Sequence, residues 1–237
     1  MIGNPGTSKG SRGAIRQPAG FVALLLFVFA GTQAGAQQVT ANEMAKRVDA
    51  HYNHLQSLKT AFSEQYDGLG MHREESGTLL LRKPGRMKWD YASTPGKVFV
   101  LDGKYAWFYA PGDAQIQRIP ASQLDDLRSP LRFLLGHTKI EAELSNLKLT
   151  AMSFSGAGGP DSYTLTGIPK GQPGRIAKLS LSVTADGSIT GILMEAIDGA
   201  QTRFSFTHEE PNAVLPESTF HFTPPHGIPV VDALPPV

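Results

Sequence analysis

The residues best able to do chemistry are few and badly spaced for it. Seven histidines are spread along the 237 residues, and the closest pair on a predicted helix is His51 and His54. A zinc protease needs two imidazoles four residues apart with a glutamate between them; this pair has neither, and both are read as surface or cap histidines. His208, Glu209 and Glu210 are metal-ligand types, but adjacent strand residues point in different directions. Gly6-Thr7-Ser8-Lys9-Gly10 matches the nucleophile-elbow pattern without joining a strand to a helix. Glu74-Glu75 and Asp125-Asp126 are read as solvated carboxylates, and no glycine-rich phosphate loop follows a strand. These residues predict no catalytic group, no metal and no cofactor: the chain is expected not to be an enzyme.

The first 36 residues carry Lys9, Arg12 and Arg16, no acid, an apolar run over 21–30 and the small-residue sequence Ala34-Gly35-Ala36. That is the layout of a cleaved secretory signal, with Gln37 as the first mature residue and 37–237 as a single domain. The apolar run is about half the ~20 residues a spanning helix needs. Cleavage leaves 19 basic against 21 acidic residues, a charge of about −2 where the whole chain has +1. Without a block of cations there is no footprint for a phosphate backbone, so nucleic acid is not an expected partner. The absence of cysteine removes disulfides, thiolate chemistry and an acylated N-terminal cysteine, and predicts a soluble exported protein.

The elements are those of a sheet with a helical cover. Thr40 and Glu43 form a Thr-x-x-Glu capping box, and Met44, Val48, Tyr52, Leu55 and Leu58 fall on one stripe, predicting a helix over 40–58. The period then drops to two. Strands are expected at 61–66 and 77–82, and Lys83-Pro84-Gly85 turns into Met87, Trp89 and Tyr91 on one face with Arg86, Lys88 and Asp90 on the other. Asp102-Gly103 leads into Tyr105, Trp107 and Tyr109, and Asp-Gly recurs at 186–187 and 198–199, as type I′ hairpin turns with their positive φ require. Two short helices are expected at 121–127 and 129–135, then strands at 147–154, 162–165, 177–183, 189–197, 202–207 and 218–222. The proline-containing tail from 230 is expected to be weakly ordered or to add an edge strand. Phe62, Leu79, Leu81, Met87, Trp89, Tyr91, Trp107, Tyr109, Phe133 and Leu134 supply the wall of an apolar concavity. Such a surface can hold an acyl chain, since each buried methylene is worth about 0.8 kcal/mol.

Phe62-x-x-Gln65, Gly77-x-Leu79, Lys83-Pro84-Gly85-Arg86-x-x-Trp89, Asp102-Gly103-Lys104-x-x-Trp107-x-Tyr109, Ser129-Pro130-Leu131 and Phe220-x-Phe222-Thr223-Pro224-Pro225-x-Gly227 occur in the order seen in the LolA family. The chain resembles these periplasmic outer-membrane lipoprotein carriers from about Met44 to Asp232. The resemblance implies a mainly β, α+β fold: a curved antiparallel half-barrel closed by a helical lid around a hydrophobic cavity. It further implies a monomeric periplasmic chaperone. Its partners would be triacylated lipoproteins, an inner-membrane lipoprotein-releasing ABC transporter and an outer-membrane acceptor of the LolB kind.

Family members commonly have Arg directly before the proline, where it ties the strand to the lid. Here that residue is Lys83, a point charge rather than a planar fork, which is expected to act as a weaker latch; Arg82 is expected to point to the other face. The alternative is a periplasmic sensor or regulator on the same fold that binds lipid or lipoprotein as a signal. A lipid hydrolase would need a nucleophile elbow that the strands do not contain.

Overall fold

The computed structural model describes residue 3 and residues 39–124, 139–152, 155, 162–170 and 174–232. By its internal contacts the chain divides into a unit Met1–Gln37 and a unit Gln38–Val237, and all described residues but one belong to the second. The expected helix at 129–135, with Phe133 and Leu134, lies outside the described residues.

Helix α1 (Ala41–His54) begins where the capping box predicts: the Glu43 N–H donates to Thr40 Oγ1 at 3.2 Å and the Thr40 N–H to Glu43 Oε2 at 2.8 Å. It ends four residues before the expected Leu58 because the sheet takes the backbone that a further turn would use. Gln56 O accepts from Lys83 N at 2.8 Å, the Gln56 N–H donates to Asn212 Oδ1, and Ser57 opens a strand. Leu58 is still buried, as a strand residue.

Twelve strands form one sheet: β1 (Ser57–Gly68), β2 (Met71–Arg82), β3 (Arg86–Tyr91), β4 (Val98–Leu101), β5 (Tyr105–Tyr109), β6 (Ile116–Pro120), β7 (Leu144–Thr150), β8 (Ser162–Pro169), β9 (Ile176–Thr184), β10 (Ile189–Ala196), β11 (Gln201–Pro211) and β12 (Val230–Asp232). Their order is β12-β6-β5-β4-β3-β2-β1-β11-β10-β9-β8-β7. Every pairing is antiparallel except β12 with β6, where the tail adds the edge strand anticipated for it; all the antiparallel pairs but β1 with β11 join strands consecutive in the chain. Helices α2 (Ala121–Leu124) and α3 (Ile140–Glu143) are single turns. The strand expected at 218–222 is instead a 3-10 turn, Glu217–Phe220, that buries Phe220; Pro216, Pro224 and Pro225 flank it and have no N–H to give a ladder.

One face of the curved sheet and the buried side of α1 share a core of Met44, Val48, Tyr52, Leu58, Phe62, Leu79, Trp89, Leu181, Ile192 and Phe204, among others. Two glycines set close approaches. A Cβ at Gly77 would lie 1.9 Å from Asp90 O, and one at Gly187, whose φ is +94°, would lie 2.5 Å from the Arg47 backbone. The first draws β2 onto β3; the second lets the β9–β10 turn touch α1.

Candidate functional site: the concave face under helix α1

Cross-strand register decides which side chains face inward, because partners across a ladder share a face. Leu58, Leu81, Met87 and Leu101 form one such row; Thr60, Leu79, Trp89, Phe99 and Phe108 form the next; Phe62, Gly77 and Tyr91 form a third. Phe62 meets Trp89 at 4.5 Å and Tyr91 at 5.3 Å between ring centroids, both edge-on. Trp89 Nε1 donates to Met87 Sδ at 3.0 Å, so the indole N–H is satisfied within an apolar wall. Six of the expected lining residues, Phe62, Leu79, Leu81, Met87, Trp89 and Tyr91, therefore stand together on the concave face.

Trp107 and Tyr109 do not. The β4–β5 ladder pairs Phe99 with Phe108 and Val100 with Trp107, and Val100 pairs with Lys88. Trp107 is thus on the face of Lys88, opposite Trp89, and Phe108 takes the inner place. Alternation within β5 was legible; the parity delivered by the Asp102-Gly103 turn was not. On the outer face Trp107 Nε1 donates to Asp102 Oδ2 at 2.8 Å, the Phe222 ring lies 5.6 Å from Trp107 and 6.2 Å from Tyr109, and Arg118 stacks over Tyr105. Partial burial pushes the Asp102 carboxyl up, but donation from the Tyr105 N–H, Trp107 and the Lys104 N–H holds it below the usual range.

Lys83 lies in the β2–β3 turn, and its Lys83–Pro84 bond is cis. Its Nζ donates to Tyr52 O at 2.7 Å and to Asn53 O at 3.1 Å. These carbonyls belong to the last turn of α1, where the helix dipole is negative; Tyr52 O also accepts the Leu55 N–H, at 3.3 Å. Burial lowers the lysine's pKa. Arg82 reaches away, to Leu215 O at 3.1 Å.

Beyond Phe62 the concave face becomes polar. Glu64 and Glu75 are register partners; Arg73 lies 3.6 Å from the first and 3.4 Å from the second, and Lys97 pairs with Glu75. Burial pushes Glu64 upward, against the pull of Arg73. Glu75 is 8% exposed, so its reading as a solvated charge does not hold. Further out, Tyr66, Thr202 and Met194 form the next inner row and, with Ile176, Ala196 and Ile197, line a groove of about 570 Å³ at the rim.

A second cluster escaped the sequence because of a bulge. Ala61 pairs with Thr207 but Lys59 with Glu210, and the extra residue, His208, has φ +55°. Strict alternation after Phe204 and Phe206 would turn His208 inward; the bulge turns Glu209 inward instead. Glu209 Oε1 lies 2.8 Å from His51 Nε2, and Glu209 Oε2 accepts from Ser188 Oγ at 2.8 Å and from the Tyr52 hydroxyl at 3.5 Å. His51 is accordingly a half-buried, bonded residue rather than a surface one, and its hydrogen bond to Glu209 raises its pKa against the effect of burial. Among the described residues no three His, Cys, Asp or Glu are grouped as a metal site.

Comparison with known proteins finds relatives over most of the chain. The outer-membrane lipoprotein carrier protein of Chromobacterium violaceum is 29% identical over 204 residues, covering 86% of this chain and 93% of that one. That of Sodalis glossinidius is 26% identical over 192 residues, covering 80% and 88%. An uncharacterized conserved protein from Thermus thermophilus shares the fold, with a TM-score of 0.51 at 15% identity over 81% of this chain and 99% of that one. The family model described as outer membrane lipoprotein carrier protein LolA matches residues 53–223, and the chain belongs to that family.

Proposed function

We propose that this protein is a periplasmic carrier that binds acylated lipoproteins, shields their acyl chains against the concave face and passes them on. The observation that carries the reading is the apolar wall of Phe62, Leu79, Leu81, Met87, Trp89 and Tyr91 lying beneath a helix tied down by side-chain contacts such as Lys83 to Tyr52 O. The helix shares no backbone ladder with the sheet, so it can lift without unpairing a strand. Lys83 is the latch, and α1 is the lid. The protein binds and releases and transforms nothing.

The exported form begins at Gln37 after signal cleavage and works as a monomer. Its cargo is triacylated lipoprotein, received from an inner-membrane ABC transporter and given to an outer-membrane acceptor. Three chains buried completely at about 0.8 kcal/mol per methylene would never leave. A closed empty state that competes with cargo makes the hand-over reversible, and the close packing of α1 on the sheet, with Met44 and Leu79 both 0% exposed, supports such a state.

The test is release. The purified protein is incubated with spheroplasts of a diderm bacterium, and the soluble fraction is analysed by mass spectrometry for one-to-one complexes with triacylated lipoprotein. Their appearance supports carriage; a folded protein that takes up free lipid or nothing overturns it.

A further inference from the structure

Glu209 joins three parts of the fold through one carboxylate. It comes from β11, Ser188 from the β9–β10 turn, and His51 and Tyr52 from the last turn of α1. The side chains of His51 and Glu209 are 18% and 21% exposed. Tyr52 is fully buried, and its hydroxyl also accepts the Ile189 N–H at 2.8 Å. The order of contacts excludes nucleophilic catalysis: Ser188 and His51 bond opposite oxygens of the same carboxylate, with no serine-to-histidine hydrogen bond for an activated nucleophile. What the cluster does is hold α1 to the sheet, on the side away from Lys83.

One member is a histidine, the side chain whose unperturbed pKa lies closest to neutrality. His51 faces Glu209 from β11, Asp186 from the β9–β10 turn at 4.0 Å from Nδ1, and the Tyr52 hydroxyl beside it; Arg47, one turn earlier on α1, donates to Ala185 O at 2.9 Å. A neutral imidazole offers one N–H, which Glu209 takes. The imidazolium adds a second N–H toward Asp186 and turns the first bond into a charge-assisted one.

We propose that Glu209 is a positioning residue for α1, and that the His51–Glu209 contact is a proton-dependent clasp that holds the helix over the concave face when His51 is protonated and loosens as pH rises. The clasp supplements Lys83 and deepens the lid reading above, on which it rests for its consequence but not for its test. The sign follows from linkage. A histidine whose pKa is higher when the helix is docked adds stability below its undocked pKa, and that stability is lost as pH rises through the docked value.

The test needs no cargo, so its failure and the failure of carriage are separate results. Amide hydrogen exchange is followed in the intact empty protein across the range in which histidine titrates, as protection over the intrinsic rate, for α1 and for the β8–β9 hairpin as reference. Protection of α1 should fall as pH rises, about tenfold for each unit by which docking raises the His51 pKa, while the reference stays level. His51→Gln should abolish the slope, Glu209→Gln should abolish it and lower protection at every pH, and Lys83→Leu should lower protection but keep the slope. Protection of α1 independent of pH in the parent protein, or a slope that survives His51→Gln, overturns the clasp. Should Glu209→Gln not fold, the parent and His51→Gln decide alone.

Discussion

Lys83 Nζ sits 2.7 Å from the carbonyl oxygen of Tyr52, so a turn between two strands holds the C-terminal end of the only long helix among the described residues. An ammonium at a helix C-terminus meets carbonyls that lack the full i+4 ladder and the negative end of the dipole together.

Replacing that cation with an apolar side chain should loosen α1 with little effect on the sheet. Lys83→Leu is expected to lower stability by about 1 kcal/mol, the scale of a partly exposed hydrogen bond, in urea unfolding, and to alter cargo retention or release. Lys83→Arg should restore both. Transfer unchanged in Lys83→Leu would reject a latch role.

The two tryptophans lie on opposite faces and so form a built-in reporter pair. With Trp107→Phe leaving Trp89 as the sole indole, cargo carrying brominated acyl chains should quench fluorescence; with Trp89→Phe leaving Trp107, it should not. Equal quenching of both would contradict acyl binding on the concave face.

Core truncation should separate stability from register. Leu79→Ala, at a residue 0% exposed in the centre of the concave face, is expected to cost about 2–5 kcal/mol. Leu80→Ala, on the opposite face, should cost less than half as much by the same denaturant measurement.

Asp102 gives a pH prediction. Its carboxylate accepts from two backbone N–H groups and the Trp107 indole, and its folded pKa is depressed. The stability it adds is present above its unfolded pKa, about 3.9, and disappears as pH falls through the folded value. Asp102→Asn should therefore narrow the stability gap between neutral and acid conditions, which acid titration followed by circular dichroism would register.

The local pieces were already written in the order of the amino acids: the capping box at Thr40 and Glu43, the switch to period two after the helix, the place of the Asp-Gly turns, though not their type I′ form since only their glycines take positive φ, and the alternation that places Met87, Trp89 and Tyr91 on one side of β3. These depend on neighbours a few residues apart, so short spacings encode them. Motif order was also enough to show the family resemblance. Whatever depends on parity and long-range pairing was settled only by folding in three dimensions. Trp107 faces outward because the β4–β5 register gives Phe108 the inner place, and Glu209 faces inward because the bulge at His208 adds one residue to β11. A one-residue shift exchanges the faces of a strand, and nothing in a period of two states which face will be covered. The binding of Glu209 to His51, 158 residues away, required the helix to be laid on the sheet before either residue had a partner.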